Sequence, residues 1–65
     1  MDWRDMSVFE RIAHIASNAD RIFIRTHMDG QWQSLVLSSL PDDLKFTELR
    51  RLAERHDPPD VRPHS

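Results

Sequence analysis

The chain has 65 residues, no cysteine, and a formal net charge of -2 from nine Lys and Arg against eleven Asp and Glu. That length holds one small domain, and the missing cysteine excludes disulfide staples, thiolate metal sites and a thiol nucleophile. Without a basic excess, the composition argues against a protein whose affinity rests mainly on nucleic-acid phosphates. A single core of this size rarely supplies more than about 3–5 kcal/mol of net stability, so a protein partner or a second copy gains weight. No apolar run is long enough to span a bilayer. The start Met1-Asp2-Trp3-Arg4-Asp5 lacks the basic n-region and apolar core of a signal peptide, so a soluble, cytoplasmic protein is expected.

Ser7-Val8-Phe9-Glu10 matches a capping box, in which hydroxyl and carboxylate satisfy free backbone amides at a helix start. Asp2 or Asp5 offers an earlier cap that would draw Trp3 and Met6 into the helix. Val8, Ile12, Ile15 and Ala19 recur at helical spacing, with Phe9 and Ala16 widening the stripe. Glu10, Arg11, His14, Ser17 and Asn18 fall largely on the other side. The pattern predicts a helix over about residues 5–19.

Two β-prone runs then flank Asp29-Gly30, a pair suited to a tight turn that needs positive φ at both central residues. With these as the two loop residues, Ile22, Ile24, Leu35 and Leu37 gather on one face, against which both helices are expected to pack. The other face carries Phe23, Arg25, His27, Trp32, Ser34 and Val36. A bulged three-residue loop would slip the pairing by one and move Trp32 beside Ile22 and Ile24. The two-residue loop is preferred because it sorts the aliphatics cleanly.

Ser39-Leu40-Pro41-Asp42-Asp43 announces a second helix, with a cap residue, a proline in the first turn and carboxylates at the positive end of the helix dipole. Thr47-Glu48 is a second possible cap, so the start lies near Pro41 or near Thr47. Leu44, Leu49, Leu52, Ala53 and His56 mark its inner face, and Pro58-Pro59 ends it. Residues 58–65, rich in Pro and polar groups, read as a disordered tail after a domain of residues 1–57. The fold class expected is α+β: an α-β-β-α domain in which the antiparallel hairpin packs on two helices, with unpaired hairpin edges that dimerisation would complete.

The chemistry-bearing residues give little support to catalysis. His14, His27, His56 and His64 lie on separate elements without metal-ligand spacing. Gly30 is the only glycine and serves the hairpin turn, so no phosphate-cradling loop exists. No metal, cofactor, small-molecule substrate or enzymatic activity is expected. Arg50, Arg51 and Arg55 form a basic cluster on the second helix and are candidate nucleic-acid contacts, although Glu48 and Glu54 sit among them. The stronger constellation is the outer hairpin face, where Phe23, Arg25, His27, Trp32 and Val36 are candidate protein-interface residues. Tryptophan is enriched at interface hot spots because it buries a large area at low entropic cost. Trp3 and Met6 are the alternative cover for this face. The function expected is a small non-enzymatic protein-interaction module of adaptor or inhibitor type, with a nucleic-acid-binding regulator as the alternative.

Overall fold

Asp29 and Gly30 both lie in the left-handed region, with φ of 52° and 79°. This is the backbone of the tight turn whose twist matches the flanking strands. In the computed structural model, which describes residues 2–63, β1 (Phe23–Met28) pairs antiparallel with β2 (Gln31–Val36) around that turn. The register sets Phe23 against Val36, Arg25 against Ser34 and His27 against Trp32. It is the two-residue register, not the bulged one. The strands are flanked by two helices, α1 (Val8–Ser17) and α2 (Asp42–Ala53), giving an α-β-β-α domain of the α+β class. No helix among the described residues is long and apolar enough to cross a membrane.

Both halves of the capping box are formed at the start of α1: the Glu10 N–H donates to Ser7 Oγ at 3.2 Å, and the Ser7 N–H to Glu10 Oε1 at 3.1 Å. The helix is shorter than the predicted residues 5–19. Trp3–Asp5 instead forms a separate 3-10 turn, and Met6 is extended, so the chain enters α1 only at Ser7. At the other end Ser17 Oγ and Asn18 Nδ2 donate to the carbonyls of Ala13 and His14, and the chain turns toward β1.

The start of α2 departs from the expected capping. Ser39 closes a 3-10 turn, Leu37–Ser39, by donating its hydroxyl to the Val36 carbonyl at 2.7 Å. Pro41 then occupies the N-cap position, and Asp42 and Asp43 fill the first turn near the positive end of the dipole. The helix therefore begins near Pro41, without a break at Thr47. His56 lies in the bend beyond it and is exposed, outside the apolar face assigned to it.

One core joins all these elements: Trp3, Ile15, Ile22, Ile24, Leu37, Leu40, Leu52 and Ala53, with Ile12, Ala19, Leu35 and Leu49 packed at its margin. The inner face of the hairpin thus meets both helices. Two residues of α1 exchange their expected roles. Phe9, assigned to the apolar stripe, is 84% exposed, and Val8 and Ala16 also face outward. Arg11, assigned to the solvent side, is half-buried and donates from Nε to the Trp3 carbonyl at 3.0 Å. Its Nη1 reaches the carbonyls of Ala53 at 3.1 Å and Arg55 at 3.4 Å. The guanidinium also lies 4.9 Å from the Trp3 ring centroid. Trp3 completes the knot by donating its indole N–H to the Arg55 carbonyl at 3.1 Å. The short N-terminal turn brings Trp3 into the core, and Arg11 closes over it.

Residues 58–63 have no regular secondary structure and run back against the hairpin. The Arg62 N–H donates to the Arg21 carbonyl at 2.9 Å, and Arg21 Nε donates to the Arg62 carbonyl at 3.1 Å. The expectation for His64 and Ser65 lies outside the described residues.

Candidate functional site

Side chains alternate across a pleated strand, so a register that buries Ile22 and Ile24 must turn Phe23, Arg25 and His27 the other way. Their cross-strand partners Val36, Ser34 and Trp32 join them on the outer face. All five candidate interface residues are therefore brought together. Trp32 is 63% exposed and Phe23 47% exposed, whereas Val36 is half-buried. His27 meets Trp32 edge-on, with ring centroids 5.1 Å apart, which holds the indole upright at the turn end of the face. Arg25 and Ser34 form an exposed polar strip between the Trp32 and Phe23 ends.

Trp3 does not cover this face. It lies on the opposite side, within the core, and Met6 packs beside that core. The outer face instead receives Arg62, whose guanidinium lies 4.8 Å from the Phe23 ring centroid. A cation over an aromatic ring at an exposed site contributes about 0.5–1 kcal/mol. Trp32, at the other end, stays open.

The basic cluster on α2 is less available than its sequence suggests. Arg51 binds Glu48 through Nη2 at 2.7 Å and Nε at 3.1 Å, and Arg50 binds Glu54 at 3.3 Å. Both pairs lie at helical spacing on the solvent side. Arg55 is exposed beyond the end of the helix, and its carbonyl serves the Trp3 and Arg11 knot. The three arginines do not form one continuous unpaired strip.

Among the described residues the imidazoles of His14, His27 and His56 do not form a cluster. His14 stacks edge-on toward Trp3 at 6.3 Å, and His27 stacks on Trp32 on the far side of the sheet. Among the described residues, no three His, Asp or Glu side chains converge as metal ligands would. A groove of about 320 Å³ runs between β1 and the end of α2, with Ile24, Leu52, Arg25, Arg51, Arg55 and Asp60 along it.

Two exposed aromatics escaped the sequence reading. Phe9 on α1 and Phe46 on α2, the latter 60% exposed, add apolar surface on the helical side of the molecule. For Phe46, its absence from the Leu44, Leu49 and Leu52 spacing was a usable signal. For Phe9 there was none, because its neighbours at helical spacing are apolar as well. Comparison with family models, curated proteins and solved structures gives no match to this chain.

Proposed function

We propose that this chain is a small, cytoplasmic, non-enzymatic protein-interaction module of adaptor or inhibitor type, with the outer hairpin face as its docking surface. The observation that carries the reading is the exposure of Trp32 and Phe23 on one face turned away from both helices. A fold with this little core gains nothing from leaving an indole in water. A partner that covers it removes a large apolar area at the cost of few rotamers. Arg25, between the two aromatic ends, and His27, beside Trp32, supply the polar groups that orient such a partner. The alternative, nucleic-acid binding through Arg50, Arg51 and Arg55, draws less support because two of these cations already hold carboxylates.

The test is capture from the source cell on immobilised wild-type chain, with Trp32→Ala in parallel. The expected result is a protein partner whose binding weakens by about 2 kcal/mol or more on Trp32→Ala, the level of an interface hot spot. The circular dichroism and melting temperature of the variant should stay close to wild type. Unfolding of the Trp32→Ala monomer, or equal capture by both chains, would refute the assignment. Capture of nucleic acid that falls steeply with salt would favour the arginine cluster instead.

A further inference from the structure

The two strands form a sheet with two unpaired outer edges, and these edges are not equivalent. In the observed register the hairpin's own hydrogen bonds join even-numbered residues of β1 to odd-numbered residues of β2. The Leu37 N–H donating to the Ile22 carbonyl at 2.7 Å continues that ladder at its open end. The backbone groups of Trp32, Ser34 and Val36 therefore point outward along the edge of β2, and those of Arg21, Phe23, Arg25 and His27 along the edge of β1.

The β1 edge is guarded. Arg62 donates to the Arg21 carbonyl and sets its guanidinium over the Phe23 ring, and Arg21, just before the strand, and Arg25 within it add two cations. The β2 edge carries none of the devices that protect an exposed strand. Gln31-Trp32-Gln33-Ser34-Leu35-Val36 contains no charge, no proline and no glycine, and among the described residues none of the tail hydrogen-bonds to it. From this asymmetry we infer that two copies of the chain join edge to edge through β2, antiparallel about a two-fold axis at Ser34, into one four-stranded sheet.

The register follows from side-chain size. With Ser34 opposite its own copy, the small hydroxyl side chains sit at the axis, and Trp32 of each chain lies beside Val36 of the other. Ser34 exchanges both of its backbone hydrogen bonds with its counterpart, and Val36 N–H donates to the Trp32 carbonyl of the second copy. The Trp32 N–H of each chain meets the Val36 carbonyl of the other, which already accepts the Ser39 hydroxyl and has a second lone pair to offer. A neutral strand meets its own copy without like-charge contacts, whereas β1 paired with itself would bring arginines together. Because the tail takes the Arg21 carbonyl at one end of the β1 edge and Arg25 charges its middle, the assembly closes at two chains and does not extend into a filament. The inference concerns the strand edge and holds whether or not a further protein docks on the outer face.

The experiment uses the absence of cysteine. Wild-type chain is sedimented across a dilution series beside Ser34→Lys, while Ser34→Cys and Arg25→Cys are oxidised in air. Wild type should sediment at twice the 7.7 kDa chain mass. Ser34→Lys, which sets two ammonium groups opposite each other at an exposed position, should raise the dissociation constant at least about tenfold while the circular dichroism is unchanged. Directly opposed residues place their Cα atoms about 5.5 Å apart, within disulfide range, so Ser34→Cys should cross-link readily. Arg25 and its counterpart lie about 14 Å apart at about 4.8 Å per strand and should not. A wild-type monomer at every concentration, a Ser34→Lys dimer as tight as wild type, or equal cross-linking through Arg25→Cys would overturn the inference.

Discussion

Removing the Arg11 guanidinium tests whether the knot at the end of α2 holds this domain together. Arg11→Met keeps the aliphatic stem over Trp3 and deletes the donors to the Trp3, Ala53 and Arg55 carbonyls. A hydrogen bond from a charged donor contributes about 1.5–3 kcal/mol. The three do not sum, because two of the acceptors keep other donors: the Trp3 carbonyl retains the Met6 N–H at 3.2 Å, and the Arg55 carbonyl retains the Trp3 indole at 3.1 Å. The net loss is then close to one such bond at Ala53, plus about 0.5–1 kcal/mol from the cation over the indole. The cation also leaves the negative end of the α2 dipole, at a further cost of about 0.3–1 kcal/mol. Together these give about 3 kcal/mol, comparable to the whole stability of a core this size. Urea unfolding followed by fluorescence in a Trp32→Phe background, where Trp3 is the only fluorophore, reads the change directly. Arg11→Lys keeps the charge but lacks the planar set of donors, and should recover about half of the loss. A loss below about 1 kcal/mol for Arg11→Met would refute the reasoning. Full recovery by lysine would show that charge, and not the directed donors, does the holding.

Gly30→Val should cost more than about 1 kcal/mol by thermal melting, from backbone strain at φ 79° and not from a clash of the added Cβ, which meets no atom within 4 Å. A neutral Gly30→Val would mean that the turn changes type at little cost. Truncation after Asp60 removes the Arg62 hydrogen bonds to Arg21 and the cation over Phe23, and should cost about 1 kcal/mol, measured by urea titration. An unchanged midpoint would show that the tail adds no stability where it lies.

The hairpin was legible because two local signals agree. Asp29-Gly30 fixes the turn, and the alternation of Ile22, Ile24, Leu35 and Leu37 fixes the faces, so the outer set Phe23, Arg25, His27, Trp32 and Val36 follows by exclusion. The place of α2 was legible because prolines bracket it, but its ends were not: Pro41 and Thr47 both suit its start, and His56 lies beyond the last turn at Ala53. The faces of α1 were not. At 100° per residue Ile15, Val8, Ala19, Ile12, Ala16 and Phe9 share one arc of about 120°, so periodicity sets the stripe but not which edge of it turns inward. The choice is made by Trp3, whose hydrogen-bond partner lies 52 positions away in sequence. The seating of Arg62 against β1 is equally non-local and leaves no trace in composition.

The knot between the N-terminal turn and the end of α2 also sets an order of events during folding. The hairpin closes over a two-residue loop, and such elements form within about 1–10 μs. Trp3 and Arg11, by contrast, find their acceptors at Ala53 and Arg55 only once the intervening chain has been made and gathered in, so their loop-closure cost falls at the end. During synthesis the N-terminal turn emerges first and waits longest for its partner. Until α2 is complete, the indole that will seal the core remains in water. This small domain is thus fastened by its earliest residues at its latest moment.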